Sequence, residues 1–129
     1  MILGIGVDII HLPRIVKVVK HSRERFARRI LSPTEYQEFF QRFPKPTDAI
    51  QQQQEILYLG SRWCIKEAVY KALYPIHKLE WKQVTVTKEK GKPGLHIING
   101  SKHGIHRSHV SLSHDGEYAI AQVILESKD

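Results

Sequence analysis

The 129-residue sequence predicts an α+β domain, because its strand and helix signals come in separate blocks rather than in alternation. Three observations carry that reading. The opening Ile2–Asp8 is apolar around Gly4 and Gly6, residues 13–73 carry helix-start signals and apolar spacing for three helices, and from Trp81 the period becomes that of strands. No repeat and no long linker divides the chain, so residues 1–129 read as one domain, long enough to bury most of its apolar surface.

The elements follow in order. Ile2 to Asp8 is a buried strand ending near Asp8, and its glycines let another backbone or a ligand come close. Pro13 fits the first turn of a helix whose apolar side is Ile15, Val16, Val18 and Val19. Ser22 half-signals a new start, and Phe26, Ala27, Ile30 and Leu31 continue at core spacing. Ser32-Pro33-Thr34-Glu35 supplies an N-cap, a first-turn proline and a capping-box acid, followed by Tyr36, Phe39, Phe40 and Phe43 as core. Pro44 to Thr47 breaks the chain, a long helix runs from about Asp48 through Leu73, and Pro75 ends it. Gln51 to Gln54 form its solvent side. Trp81, Val84, Val86 and Thr87 suggest a strand, Glu89 to Gly94 a turn, and Leu95, Ile97 and Ile98 a second strand. Asn99 begins a loop or short helix through Arg107, and Val110–His114 and Tyr118–Leu125 form a hairpin around Asp115-Gly116.

Composition narrows the function. Apolar and charged fractions of 41% and 26% suit a soluble globular protein, and no apolar run is long enough to span a bilayer. Met1–Asp8 lacks a preceding basic region and a cleavage-like site, so it reads as a strand and not a signal peptide. The sole cysteine, Cys64, excludes an internal disulfide framework and reads as a small core residue rather than a reactive thiol. A net charge of +7 and a pI of about 9.6 mean that the chain seeks anions: nucleic acid, phosphorylated small molecules or an acidic protein. From Arg14 to Arg29 seven cations face one anion, Glu24, which favours a docking surface for an acidic partner.

The candidate chemistry centres on the long helix. Glu67 and Lys71 are four residues apart and share one face, which Trp63 extends. They are either a surface ion pair or a metal ligand and a phosphate ligand aimed at one cleft. Asp8, flanked by apolar residues, reads as a metal ligand rather than a solvated strand-end acid. His103, His106 and His109 are weak zinc candidates, with no cysteine or acid beside them. His114 with Ser113 stands at a strand end, where side chains often reach a ligand. A basic nucleic-acid-binding module is the alternative function. It explains the charge but not Asp8 and Glu67, which repel phosphate without a metal, and neither an aromatic RNA-binding strand motif nor a zinc-finger spacing is present.

Three segments together carry a family resemblance: Gly4-Ile5-Gly6-Val7-Asp8-Ile9, Arg62 to Ala72, and Val110-Ser111-Leu112-Ser113-His114-Asp115. Their order and spacing resemble the holo-acyl-carrier-protein synthases, the short class of 4′-phosphopantetheinyl transferases. The resemblance implies a fold with one long helix on a small antiparallel sheet. It implies transfer of 4′-phosphopantetheine from coenzyme A to a serine of apo-acyl carrier protein, leaving adenosine 3′,5′-bisphosphate. It also implies Mg²⁺ and a homotrimer with sites between subunits, and neither nucleic acid nor membrane as partner. By match to the family motifs, Asp8 and Glu67 would hold the metal. Arg62, Lys71 and His114, with Ser113 beside it, would serve the coenzyme A phosphates, and Gly91-Lys92-Pro93 would border that cleft. Glu67, or a water oriented by the metal and its ligands, would take the serine proton. Arg14, and after it Arg25 and Arg28, would dock the acidic carrier protein. Cys64-Ile65 and the His103–His109 loop depart from the bacterial pattern. The former is similar to eukaryotic and fungal members, which implies mitochondria, with cytoplasm as the alternative.

Overall fold

The computed structural model describes residues 1–45 and 48–129. The chain runs β1 (Ile2–His11), α1 (Leu12–Ile30), α2 (Pro33–Arg42), α3 (Ala49–Leu73), β2 (Val84–Glu89), β3 (Lys92–Ile97), β4 (Arg107–Asp115) and β5 (Tyr118–Glu126). Short 3₁₀ turns cover Trp81–Gln83 and Gly100–His103. An antiparallel sheet has the order β1-β5-β4, and β2-β3 is a separate hairpin. The α+β class and the long helix on a small antiparallel sheet are as the sequence implies.

The contact between α3 and β1 positions everything else. Inward residues of the sheet are small or β-branched, including Ala119, Ala121, Val123 and Val110, all nearly free of solvent. On β1 two of the inward positions, those facing Ala72 and Ala68, are Gly4 and Gly6. A methyl group on Gly6 would sit 1.7 Å from the Ala68 carbonyl oxygen, and one on Gly4 would sit 1.9 Å from that of Ala72. Two main chains therefore meet with no side chain between them. The helix buries Leu59, Cys64, Ile65, Ala68, Val69, Ala72 and Leu73 against this sheet and its neighbours. Asp48 caps its start by accepting from Gln51 N at 2.7 Å.

Several elements differ from the sequence expectation, each for a local reason. β1 continues past Asp8 to His11, because Ile9 and Ile10 keep pairing with Ile120 and Ala119. Asp8 is thus a mid-strand residue opposite Ala121. The two predicted halves of the first helical region form one element kinked at Ser22, which has φ −152° and ψ 52°. Trp81 opens a 3₁₀ turn capped by Glu80 and Gln83 rather than a strand. Lys92 and Pro93 already belong to β3, because Lys90 and Gly91 both adopt positive φ and close the hairpin in two residues. The expected break is described at Pro44, while Pro46 and Thr47 lie outside the described residues. Among the described residues, no helix is long and apolar enough to cross a membrane.

The outer face of the main sheet is open. Ile5, Val7, Ile9, Tyr118 and Ile120 alternate with the inward residues and are all exposed.

Candidate active site

Asp8 and Glu67 reach the same place from different elements. The backbone contact of β1 with α3 brings the Asp8 side chain, 14% exposed, beside the helix face that carries Glu67 and Lys71. Lys71 Nζ donates to Asp8 Oδ1 at 2.9 Å and to the Val7 carbonyl at 3.1 Å. Burial pushes the Glu67 carboxyl up from its ordinary value, and the Asp8 charge adds to this while Lys71 partly offsets it. Two acidic groups that repel one another in a half-buried cleft, with one ammonium between them, form the oxygen donor set that a hard divalent cation takes. Among the described residues, no cluster of three or more His, Cys, Asp or Glu gathers. A magnesium site needs none, since one or two carboxylates with substrate phosphate and water suffice.

Around Glu67 lies a cleft of about 380 Å³ lined by Arg29, Tyr70, Leu79, Glu80, Trp81 and Lys82. Sequence reasoning counted Arg29 only among the docking cations and did not single out Lys82. Their convergence depends on a long-range contact that no local pattern shows. Trp81 meets Trp63 edge-on at 4.4 Å, and Trp63 stacks on Phe26 at 5.6 Å, so one aromatic column forms a wall.

Other expected site residues lie elsewhere in the single chain. Arg62 is buried, with its guanidinium 3.6 Å from the Tyr58 ring centre and its Nε 3.7 Å from Glu35 Oε2. It does not face the Glu67 cleft, because its position on α3 turns it toward α2. Its Nε has no hydrogen-bond partner among the described residues. Gly91, Lys92 and Pro93 form the projecting tip of the β2-β3 hairpin. His114 lines a different groove of about 840 Å³ with Leu12, Pro13, Gln53 and Ile56. Ser113 points to the opposite, open face of the sheet, as strand alternation requires.

The cationic helix also divides. Arg14, Arg25 and Arg28 are exposed, and Arg28 pairs with Glu24 at 2.6 Å. Arg23 turns inward instead, ion-paired with Glu55, bonded to the Phe43 carbonyl and lying over Phe39 and Phe40. The histidine triplet does not form a cluster. His103 faces His77 across 3.2 Å, and His109 pairs with Glu126 at 2.6 Å. Burial, with a smaller contribution from the Asp8 charge, pushes the Cys64 thiol up to about 12, so it stays protonated and donates to the Asp8 carbonyl at 3.1 Å.

The least visible site residue in the sequence is Glu35. It is the capping-box acid of α2, as its spacing predicts. It is also 1% exposed and accepts from Lys66 Nζ at 2.5 Å and from Val86 N at 2.8 Å. Lys66 donates further to the Ile30 carbonyl at 2.7 Å and the Trp81 carbonyl at 3.0 Å.

Comparison with known proteins places this arrangement among relatives. The 4′-phosphopantetheinyl transferase superfamily matches residues 4–123. A holo-[acyl-carrier-protein] synthase of an Exiguobacterium species is 37% identical, with 99% of this chain and 95% of the relative covered. One from Yersinia pestis is also 37% identical, with 98% of each covered. The crystal structure of the Neisseria meningitidis holo-[acyl-carrier-protein] synthase superposes with a TM-score of 0.81 at 30% identity, covering 98% of this chain and 100% of that one. The Bacillus anthracis synthase in complex with CoA (3′,5′-ADP) gives 0.76 at 30% identity, with 99% of each covered.

Proposed function

The chain belongs to the 4′-phosphopantetheinyl transferase superfamily, its activity is that of a holo-[acyl-carrier-protein] synthase, and we propose that the cleft between Asp8, Glu67 and Lys71 is where that activity is carried out. The enzyme moves 4′-phosphopantetheine from coenzyme A to a serine of apo-acyl carrier protein. The carrying observation is the electrostatic meeting of two acids from distant parts of the chain beside one lysine.

Asp8 and Glu67 would hold Mg²⁺, which when bound supplies charge neutralisation on the pyrophosphate. Lys71, already at 2.9 Å from Asp8 and half-exposed, adds a point charge for phosphate. The serine oxygen forms a bond to the pantetheine-side phosphorus, and the bond from that phosphorus to the bridging oxygen breaks. The bridging oxygen leaves with adenosine 3′,5′-bisphosphate. Glu67, or a water oriented by the metal and its ligands, accepts the serine proton. Arg29 and Lys82 on the cleft wall counter the charge of the reacting phosphates.

A homotrimer would bury the open sheet face of Ile5, Val7, Ile9, Tyr118 and Ile120. A neighbouring subunit would then bring His114, with Ser113 behind it, and its Gly91-Lys92-Pro93 tip toward coenzyme A. Arg62 takes no part in this reading, since Tyr58 and Glu35 surround it. Arg14, Arg25 and Arg28, all exposed, would receive the acidic carrier protein. The similarity of Cys64-Ile65 to fungal members supports a mitochondrial over a cytoplasmic compartment, which fractionation of cells expressing the tagged chain decides.

The test is incubation with apo-carrier protein and coenzyme A, with and without Mg²⁺. The expected result is a carrier protein heavier by the phosphopantetheine arm, formed only with the divalent ion. Equal transfer in the presence of a strong chelator would remove Asp8 and Glu67 from the metal role.

A further inference from the structure

We infer that the buried Glu35–Lys66 pair is the positioning device of the active-site cleft, a role separate from holding the fold together. Lys66 is adjacent to Glu67 on α3, and its side chain turns into the interior while Glu67 lines the cleft. Its side chain is 0% exposed and all three ammonium protons are used: Glu35 at 2.5 Å, the Ile30 carbonyl at 2.7 Å and the Trp81 carbonyl at 3.0 Å. Glu35 is equally engaged, accepting from Ser32 N at 2.9 Å and Val86 N at 2.8 Å besides Lys66.

What these bonds join is the informative part. Ile30 follows Arg29, Trp81 precedes Lys82, and Lys66 precedes Glu67. Each of Arg29, Trp81, Lys82 and Glu67 lines the same cleft. The pair thus fastens, from behind, the end of α1, the 3₁₀ turn and α3, the three segments that present the cleft's charged side chains. Val86 N adds the start of the hairpin whose tip carries Gly91 to Pro93. An isolated buried ion pair is commonly replaceable by apolar residues at little cost in stability, but this one also faces Arg62, 3.7 Å from Glu35. A cleft needs its walls in register, and an apolar replacement leaves the Ile30 and Trp81 carbonyls and the Val86 amide without their partners. Lys66 and Glu35 are therefore positioning residues, acting through Glu67, Arg29 and Trp81.

The inference rests on the reading of Glu67 as the reacting-centre carboxylate, and its experiment keeps the two apart. The double variant Glu35→Met/Lys66→Met is compared with wild type, with Glu67→Gln and with Glu35→Gln, which keeps the volume but turns a donor toward Val86 N. Melting temperature, near-ultraviolet circular dichroism of the Trp63–Trp81 couplet, kcat and KM for coenzyme A are measured for each. The double variant is expected to fold with a lowered melting temperature, because the Ile30 and Trp81 carbonyls, the Val86 amide and Arg62 lose partners, and to lose the tryptophan couplet. Its kcat should fall roughly ten- to a hundredfold, the scale of a reacting group displaced by about 1 Å, with KM within about threefold of wild type. Glu35→Gln should show the same split at smaller size, and it decides the matter if the double variant does not fold. A double variant, or a folded Glu35→Gln, with wild-type kcat and tryptophan couplet overturns the positioning role. Full activity of Glu67→Gln instead overturns the reading of the site.

Discussion

Two lysines five residues apart on α3 each pair with a carboxylate, and the pairs differ in what they leave open. Lys66 and Glu35 are shut away from solvent with their hydrogen-bonding capacity filled. Lys71 and Asp8 are partly solvated, with Lys71 49% exposed, and beside them Glu67 has a carboxyl pushed up by burial and by Asp8. A saturated pair can only hold geometry. An unsaturated one, with a second acid beside it, can bind something else. Removing a member of the first should be felt in stability and, through the cleft walls, in chemistry, and removing a member of the second in chemistry.

The largest effect that would sharpen this contrast is Lys66→Met alone. It strands the Glu35 charge, and unfolding by urea should show a loss of about 3–5 kcal/mol. A loss below about 1 kcal/mol would break the contrast, placing the pair with surface bridges. Next comes Glu67→Gln, expected to lower transfer roughly a hundredfold or more while leaving the fold intact. Its stability should even rise at neutral pH. A raised folded-state pKa means that the charged carboxylate costs the folded state, a cost fully present above that pKa and absent below the ordinary glutamate value. Melting curves should show the gain of the variant fading as pH falls through that window.

Asp8→Asn refines the same side. It removes a charge that raises the Glu67 pKa, so the Glu67 carboxyl, followed by carbon NMR, should titrate at lower pH than in wild type. An unmoved titration would mean that the two acids do not sense one another. Smaller still is Arg14→Glu, expected to raise KM for the carrier protein roughly severalfold with kcat kept, the difference shrinking as salt is added. Smallest is Arg28→Ala, which breaks exposed contacts with Glu24 and Tyr36 and should leave the melting temperature nearly unmoved.

The sequence made one pair legible and hid the other. Glu67 and Lys71 stand four apart on one helix face and Asp8 has apolar neighbours, and the family resemblance joined these local signals into one site. Glu35 also sat in a clear local pattern, the capping box, and that pattern is present in the structure. Its second partner lies 31 residues away on α3, and nothing at either position marks the other. Arg23 and Arg62 were hidden in the same way. Arg23 looked like a free cation in a basic run and Arg62 like a phosphate ligand, yet Arg23 lies over Phe39 with Glu55 as its acid, and Arg62 lies over Tyr58 of its own helix with Glu35 of α2 beside it. Helix boundaries were legible where caps and prolines fix them. The extension of β1 to His11 was not, because only pairing with β5 decides where that strand stops.

The bare backbone contact at Gly4 and Gly6 has a consequence for how this enzyme can change. With no side chain acting as a spacer between Ala68 and Gly6, the gap between the two acids is set by main-chain thickness, the least adjustable length in a protein. Ordinary drift in the surrounding core can loosen or stiffen the cleft, but it cannot retune that gap. Changing that spacing by more than a side-chain rotation would mean lifting a whole helix off its strand.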